Sequence, residues 1–580
     1  MDINKRTILW IVFAVSLVIL WNDWMVSNGK QSMFAPTPPA KVATGAGTAG
    51  AQGSAGAGAT TGLPATSATP AGAAVPGAVP AAAVAAKRET ITVTTDVVKA
   101  DIDTAGGVLR RLELLKFKQA GHPGWFGGCF GLFEVCKPRV DKTKNEVLFD
   151  EGINHAYLAQ TGLIDGVDLP NHNTVFTAKP ATTMANGDVQ LVLEAEAGGV
   201  KLTKTYTFHK GSYVIDLRHD VANIGAAPVK PTLYLQLQHD GNKPEGDSMF
   251  NSSFTGPTLY TPEEKYQKLD FATIEKKGKA EHATRSNDGW VAISQHFFVS
   301  AFVPQPNTPR EIYTSKVDAN RYAIGTKIAL PTIPPGSMVS SSARLYSGPQ
   351  DERLLESVAP GLDLVKDYGF LTIIAKPIFW VITQIHNVLG NWGWTIVAFT
   401  ILIKLAFFPL SAAGYKSMAK VKLVTPKMQA IRERYKGDPA KMNQATMELY
   451  KTEKINPLGG CLPILVQMPV FIALYWVLQS SVEFRGAPWI GWIQDLSQHD
   501  PWVILPVLYA ISMYITTKLN PAPADPMQAK MMMWMPLVFS VMFFIFPSGL
   551  VLYWVVNNIL SIGQQWVITK KFAEADATKK

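Results

Sequence analysis

The chain has 580 residues, with 54 Lys and Arg against 45 Asp and Glu, and a formal net charge of +9 at pH 7. Charged residues make up only 17% of it and are sparse in an N-terminal tract and in the C-terminal third. This distribution excludes a uniformly soluble chain and indicates a membrane protein with a soluble part inserted.

The N-terminal tract, residues 1–28, begins with Lys5 and Arg6, followed by an apolar run with tryptophans at its far edge. A cleavable signal peptide is the alternative, but "WNDWMVS" offers no small residues for cleavage. We therefore predict an uncleaved signal anchor whose N-terminus is cytoplasmic. Residues 29–88 consist mainly of Ala, Gly, Thr, Pro and Ser, a composition typical of a flexible linker.

Residues 89–346 contain short segments such as "VQLVLEAE" and "VKLTKTYTFH", which alternate apolar and polar residues between turn-forming ones. This pattern predicts a large antiparallel β-sandwich. Four histidines lie in or beside predicted strands but lack the spacing of a metal or catalytic site, so we interpret them as structural. They are His209, His219, His239 and His296.

Two of the three cysteines, Cys129 and Cys136, lie close together in the part predicted to be exported, within the glycine-containing stretch "WFGGCFGLFEVCKPR". An oxidising compartment would permit a disulfide between them. Two free buried cysteines are the alternative.

After the predicted sandwich the apolar residues no longer alternate as in strands. The sequence of residues 347–390 predicts connecting helices and an amphipathic helix at the membrane interface. The 39 uncharged residues 531–569 would measure about 58 Å as one helix, too long for a hydrocarbon core of about 30 Å, and "FPSG" supplies a turn. Five spans therefore follow the anchor, at residues 391–412, 458–479, 502–518, 531–546 and 549–569.

The loop charges predict the orientation of these spans. Residues 413–457 hold ten Lys or Arg against four Asp or Glu, whereas residues 480–501 hold one against three. The first loop is therefore expected to be a cytoplasmic helical hairpin and the second to be periplasmic. The short loop 519–530 and the tail 570–580 then lie in the cytoplasm. The basic hairpin could dock on anionic lipid or ribosomal RNA, although the positive-inside bias alone accounts for its charge.

Lys404 is the only formally charged side chain between Lys376 and Lys416 and lies well inside the span 391–412. A lysine near a bilayer centre costs about 2.5–3.5 kcal/mol on insertion scales. No Asp or Glu occurs in the five C-terminal spans. The side chain therefore either snorkels to the cytoplasmic face or lines a hydrophilic groove in the inner half of the bilayer.

Other side chains in these spans favour a groove beside an adaptable apolar surface. The polar set consists of Thr400, Lys404, Gln467, Asn557, Ser561 and Gln564. The methionine set, at or near span ends, consists of Met468, Met531, Met532 and Met535. Methionine repacks around varied partners, although it also fills gaps within helical bundles.

Three classes of function are compatible with a cationic membrane core. A transporter would show internal repeats and an intramembrane relay of carboxylates or histidines, which we do not find. An intramembrane hydrolase would need Lys404 beside a serine such as Ser512 or Ser540, and nothing in the sequence brings them together. A non-enzymatic protein that receives apolar segments of other proteins would account for Lys404, the polar set and the methionine set together. Neither a nucleotide-binding loop nor any cofactor is predicted.

Several motifs carry a family resemblance, in order over roughly residues 345–570. They are "APGLDLVKDYG", "GNWGWTI", "YKSMAK", "NPLGGCLPILVQMPVFIALYWVL", "DPMQAKMMMWMP" and "FPSGLVLYWVVNN". With them the chain resembles the YidC/Oxa/Alb family of membrane protein insertases, in its Gram-negative form with a large periplasmic domain.

The resemblance implies a polytopic inner-membrane protein with six spans, a five-helix insertase core, and a periplasmic β-supersandwich similar to mutarotase-like domains. It implies insertion and folding of nascent inner-membrane proteins, alone or with the Sec translocon, with the ribosome and the lipid bilayer as further partners and no specific nucleic-acid sequence. The family's groove cation, commonly arginine, falls on Lys404, which keeps the charge but loses the planar fork. The groove's polar neighbour falls on Thr400, and the aromatic pair of the last span on Tyr553 and Trp554, where tyrosines are more usual.

Overall fold

The computed structural model describes most of the chain beyond the linker. Its described residues are 88–119, 144–152, 155–242, 254–435, 437–453, 462–520, 533–535, 540, 542–544 and 546–577. The predicted anchor and almost all of the linker lie outside these ranges, as do Cys129, Cys136, Met531, Met532 and most of the predicted span 531–546.

Antiparallel strands fill the region predicted to be a sandwich, and the last of them ends at Pro349, slightly beyond the predicted boundary at residue 346. The strands are β1 (Thr90–Thr94), β2 (Val98–Asp103), β3 (Val108–Lys118), β4 (Asn145–Val147), β5 (Asp150–Glu151), β6 (Ala156–Ile164), β7 (Thr177–Ala178), β8 (Thr182–Thr183), β9 (Val189–Ala197), β10 (Val200–Phe208), β11 (Val214–Asn223), β12 (Thr232–Asp240), β13 (Gly256–Thr261), β14 (Lys265–Lys268), β15 (Arg285–Ser286), β16 (Trp290–Ser294), β17 (Phe298–Pro304), β18 (Arg310–Asp318), β19 (Arg321–Ala329) and β20 (Met338–Pro349).

These strands form two ten-stranded sheets. The first sheet runs β1-β2-β3-β6-β12-β19-β18-β15, with β4 paired to β3 and β5 to β6. The second sheet runs β14-β13-β16-β17-β20-β11-β10-β9-β7, with β8 paired to β9. Apolar side chains from both sheets form one buried core, which confirms the β-sandwich expected from the alternating pattern.

The hairpin between β9 and β10 shows how local sequence sets this fold. Gly198 and Gly199 form a two-residue turn in which both residues have positive φ, +56° and +73°, as a tight hairpin with the twist of the strands requires. Strand β10 then alternates strictly between buried and half-buried residues. The buried row contains Val200, Leu202, Lys204, Tyr206 and Phe208.

Lys204 is the unexpected member of this row, because its side chain is only 1% exposed. Its Nζ donates hydrogen bonds to the carbonyl oxygens of Gly106 and Thr161, both at 2.7 Å, and lies 4.6 Å from the centre of the Phe176 ring. Burial lowers the pKa of Lys204 from 10.5 to about 7. Burial and the nearby Lys204 charge together lower the pKa of His219 to about 3.

Helices make up most of the rest of the described chain. They are α1 (Phe271–Lys277), within the sandwich region, and α2 (Glu352–Val358), α3 (Thr372–Leu389), α4 (Trp392–Ala406), α5 (Phe408–Arg434), α6 (Pro439–Thr452), α7 (Leu462–Ser480), α8 (Ile504–Leu519) and α9 (Ser548–Ala577). Helix α3 corresponds to the predicted interfacial helix, and α5 and α6 to the predicted helical hairpin. A second apolar core joins α3, α4, α7, α8 and α9.

The predicted span 391–412 is not one straight helix. Helix α4 ends at Ala406, α5 begins at Phe408, and the two are bent by 67°. Pro409 explains the break, because proline is favoured in the first turn of a new helix. By length and apolarity, no single helix of the described residues suffices to cross a membrane, whereas the bent pair α4–α5 passes the same test.

The loop between α7 and α8, residues 481–503, joins the helices to the sandwich, and we call it the docking loop. Arg485 in this loop donates to Glu146 of β4 at 2.7 Å and lies 5.0 Å from the ring of Phe298. His296, which precedes β17, donates from Nε2 to the carbonyl oxygen of Gln479 at 2.8 Å. The end of α7 is therefore tied to the second sheet.

Other helix ends meet the same docking loop. The Asn391 side chain donates to the carbonyl of Pro488 at 3.2 Å, just before α4, and the Ser548 amide donates to the carbonyl of Gln498 at 2.6 Å, where α9 begins. The start of α4, the end of α7 and the starts of α8 and α9 therefore share the side of the helical bundle that faces the sandwich.

Candidate functional site

Lys404 lies in the last turn of α4, and its side chain is only 4% exposed. Its Nζ donates a hydrogen bond to Ser561 Oγ of α9 at 2.7 Å, and Ser561 in turn donates to the carbonyl oxygen of Asn557 at 2.7 Å. Within the described ranges, no carboxylate lies within ion-pairing distance of Lys404. The ammonium group can donate three hydrogen bonds, and this environment gives its charge no acidic counterpart.

Lys404 and Ser561 meet because they lie at similar distances along α4 and α9 from the docking loop. Asn391 caps α4 by accepting the Trp394 amide at 3.1 Å, which starts the helix next to the docking loop. Lys404 then follows about 18 Å along the axis from Trp392, far from the sandwich. Ser561 is in the fourth turn of α9, which also starts at the docking loop.

Thr400, one turn before Lys404, is buried and donates its hydroxyl proton to the carbonyl of Ile396 at 2.6 Å. It lies one helical turn from Lys404 on α4. Gln467 is half-buried on α7, and within the described part of the chain it makes no hydrogen bond to Lys404 or Ser561.

The predicted aromatic pair occupies a different level of α9. Tyr553 is buried and stacks on Phe471 with ring centres 6.3 Å apart, and Trp554 meets the same ring at 4.6 Å. Tyr553 precedes Ser561 by eight positions, or about 12 Å of helix. The structure thus packs this pair in the apolar core and does not bring it to Lys404.

Two polar contacts between α8 and α9 were missed in the sequence. Asn558 donates to Ser512 Oγ at 3.1 Å, and Gln565 donates to Asn520 at 3.0 Å. Asn558 and Gln565 are seven positions apart, so they share a face of α9 adjacent to the face of Asn557 and Ser561. That spacing is visible in the sequence and could have revealed a second polar row.

The Ser512 contact also bears on the hydrolase alternative. Ser512 accepts from Asn558 and donates to the carbonyl of Tyr509 at 2.7 Å, so it is engaged away from Lys404. The serine that does contact Lys404, Ser561, donates its proton to a backbone carbonyl. A serine nucleophile would instead have to donate its proton to the lysine amine.

The two described methionines of the predicted apolar surface are exposed, Met468 by 44% and Met535 by 46%. Neighbouring apolar residues such as Trp534 and Val466 are exposed as well. These exposed apolar side chains lie on α7 and on the segment 533–535.

Only one group of carboxylates among the described residues is close enough to share a cation, and it consists of Glu352, Glu356 and Asp363. Lys376 already forms ion pairs with Glu352 at 2.9 Å and Asp363 at 3.3 Å. This lysine supplies the positive charge, so we assign the group to the junction between α2 and α3.

Comparison with known proteins gives consistent matches along the chain. Residues 384–575 match the family model "60Kd inner membrane protein", and residues 137–381 match the model "YidC periplasmic domain". The chain is 56% identical over 577 residues to the "Membrane protein insertase YidC" of Cupriavidus metallidurans, covering 98% of each. It is 54% identical over 572 residues to the protein of the same name from Ralstonia nicotianae, again covering 98% of each.

Among solved structures, the chain is similar to a crystal structure described as an active YidC insertase with its first transmembrane domain resolved. The identity is 18% and the TM-score 0.38, with 82% of this chain and 92% of that chain covered.

Proposed function

Because the chain belongs to the YidC family, we propose that Lys404 and its polar neighbours are the place where it receives client proteins. The protein is a membrane protein insertase of the inner membrane and not an enzyme, and its β-sandwich is the periplasmic domain. What remains to be assigned is how its own residues act on a client.

The observation that carries the proposal is the buried ammonium of Lys404 without a carboxylate. A charge in low dielectric attracts an opposite charge far more strongly than it does in water. An acidic residue in the N-terminal stretch of a client would supply the missing carboxylate. Lys404 would thereby draw that stretch part-way into the membrane, with Thr400 and Ser561 as hydroxyl partners for its polar groups.

The apolar span of the client then needs a route into lipid, and we assign this role to the exposed methionine surface represented by Met468 and Met535. Methionine adapts to side chains of different shape, which suits a surface that must accept many sequences. The step needs no nucleotide, since burial of the client's apolar span provides the driving force.

We propose six spans with both termini in the cytoplasm. The docking loop contacts the periplasmic sandwich, which supports a periplasmic position for residues 480–501. The opposite ends of the helices, including the basic hairpin 413–457, would then be cytoplasmic, as their charge also favours. The two ten-stranded sheets support a mutarotase-like supersandwich.

The basic hairpin 413–457 also supports the ribosome as a partner, because its exposed lysines suit a polyanionic surface. The Sec translocon is proposed as a second partner on the family resemblance alone.

Insertion of a single-span client tests the role of Lys404. The client carries either an acidic N-terminal tail or the same tail with Gln and Asn in place of Glu and Asp. We expect Lys404→Glu to reduce insertion of the acidic-tailed client at least about tenfold, because it replaces an attractive charge with a repulsive one. Lys404→Arg should retain insertion, since the charge is kept.

Lys571→Glu is the matched control, because Lys571 is an exposed lysine on α9 that lies outside the basic hairpin. It changes the net charge equally and should leave insertion unchanged. If Lys404→Glu inserts the acidic-tailed client as well as the unmodified protein does, or impairs both clients equally, the electrostatic role is wrong.

A further inference from the structure

The outer face of the second sheet carries a pocket of about 470 Å³ that the insertase function does not use. Strands β9, β10, β11, β20 and β17 form its floor, and the segment Pro304–Pro306 forms one rim. Its volume lies within the range of ligand-binding sites in proteins. It belongs to the periplasmic sandwich, on the far side of the docking loop from Lys404.

The strand register arranges the polar side chains of the pocket in two rows. Thr207, Asp216 and Arg344 are successive cross-strand partners on β10, β11 and β20. Thr205, Arg218 and Ser342 form a parallel row two residues away on the same strands. Side chains two residues apart on a strand share a face, so both rows point into the pocket.

Two of these side chains are already engaged within the protein. Asp216 accepts a hydrogen bond from His209 Nε2 at 2.9 Å, and the other ring nitrogen of His209 binds Asp188 at 2.8 Å. Arg218 forms an ion pair with Asp220 at 2.9 Å and donates a hydrogen bond to Ser340 Oγ at 3.3 Å.

The remaining polar side chains of the pocket make no hydrogen bond or ion pair within the described part of the chain. They are Gln190, Thr205, Thr207, Gln305, Ser342 and Arg344. Arg344 is the important one, because Asp216, its direct neighbour across the strands, is held by His209 instead. Its half-buried guanidinium therefore presents a free fork at the pocket floor, and such a fork fits a carboxylate with two parallel hydrogen bonds.

The shape of the pocket favours a linear ligand. The row that contains Arg344 continues to Gln190 on β9 and to Val303 on β17, so it crosses five strands. At about 4.8 Å between strands it is roughly 19 Å long, the length of about six residues of extended peptide. The hydroxyl and amide groups along it can both donate to and accept from a peptide backbone.

We propose that this pocket binds an extended acidic segment of an exported polypeptide, with one carboxylate held by Arg344 and the backbone held by the Thr and Gln side chains. The site goes beyond the insertase function, because it is periplasmic and does not involve Lys404.

Binding can be measured on the full chain in nanodiscs of zwitterionic lipid. The probe is a capped hexapeptide with two glutamates, labelled with a neutral dye and followed by fluorescence anisotropy. Its twin, with glutamine in place of glutamate, should bind at least about tenfold more weakly, the usual effect of losing a charge-assisted bidentate pair. A disaccharide of glucuronic acid serves as a competitor of different class.

The variant Arg344→Gln should weaken binding of the acidic peptide by a similar factor and leave binding of the glutamine peptide unchanged. Arg285→Gln is the matched control, because Arg285 is an exposed arginine of the same domain outside the pocket. Amide hydrogen exchange in β11 and β20 should be the same in both variants. Equal binding of the two peptides, equal effects of the two variants, or tighter binding of the disaccharide than of the peptide would each overturn the proposal.

Discussion

The buried Lys204 makes the stability of the periplasmic sandwich depend on pH in an unusual direction. In the unfolded chain a lysine titrates near pH 10.5, whereas burial lowers the pKa of Lys204 to about 7 in the folded sandwich. Between these values the unfolded chain binds a proton that the folded sandwich has lost. The free energy of unfolding is therefore expected to rise with pH through this window and to fall as the pH returns toward 7.

The size of the effect follows from the two pKa values. Linkage predicts that the free energy of unfolding increases by about 2 kcal/mol between pH 7 and pH 9. Lys204→Met should abolish this increase, because methionine fills a similar volume and does not titrate. The variant also leaves the carbonyl oxygens of Gly106 and Thr161 without their donor, so the slope with pH is diagnostic and the absolute stability is not.

Hydrogen exchange of peptides from β9 to β11, measured in urea on the full chain at pH 7, 8 and 9 and corrected for intrinsic rates, gives this slope. Lys201→Met is the matched control, since Lys201 lies on the same strand, is partly exposed and pairs with Glu194 at 3.1 Å. It should keep the slope of the unmodified protein. A flat profile in the unmodified protein, or an equal slope in Lys204→Met, would refute the reasoning.

Two further predictions concern the helical bundle and its junction with the sandwich. Gly393→Ala should destabilise the start of α4 by about 1–3 kcal/mol, because the added Cβ would lie 2.2 Å from the ring of Trp489. The control Gly563→Ala, on an open face of α9, should be neutral or slightly stabilising, and thermal unfolding that ranks the two variants in the opposite order would contradict this. Arg485→Met should destabilise the junction by about 2–3 kcal/mol, because it leaves Glu146 without its partner. The loss should appear as faster hydrogen exchange in β4, and unchanged exchange there would show that the ion pair contributes nothing.

Much of the sandwich could be predicted from the sequence because the period of two in its strands is a local property. Strand β10 illustrates the limit of that reading. Its apolar residues Val200, Leu202, Tyr206 and Phe208 already place Lys204 on the inward row, so its burial could have been predicted. What alternation does not reveal is the acceptors of Lys204, since Gly106 and Thr161 come from distant parts of the chain.

At the candidate site, too, the unusual residue could be predicted from local sequence, whereas its partner could not. Lys404 stands out in the sequence because a charge in an apolar span is costly wherever it occurs. Its partner Ser561 is 157 positions away, and only the packing of α4 against α9 selects it over Gln467. The break at Phe407 falls inside one predicted span because the apolar run continues through it, although Pro409 indicated a bend there.

The hydrogen bond from His296, just before β17, to Gln479 in the last turn of α7 has a mechanical consequence. It couples the second sheet to α7, so that a tilt of this helix is passed on to the sheet. From β17 to the outer edge at β7 the sheet is about 24 Å wide, so a 10° tilt of α7 would move that edge by roughly 4 Å. The pocket around Arg344 lies between β17 and that edge, so any tilt of α7 would also displace the pocket.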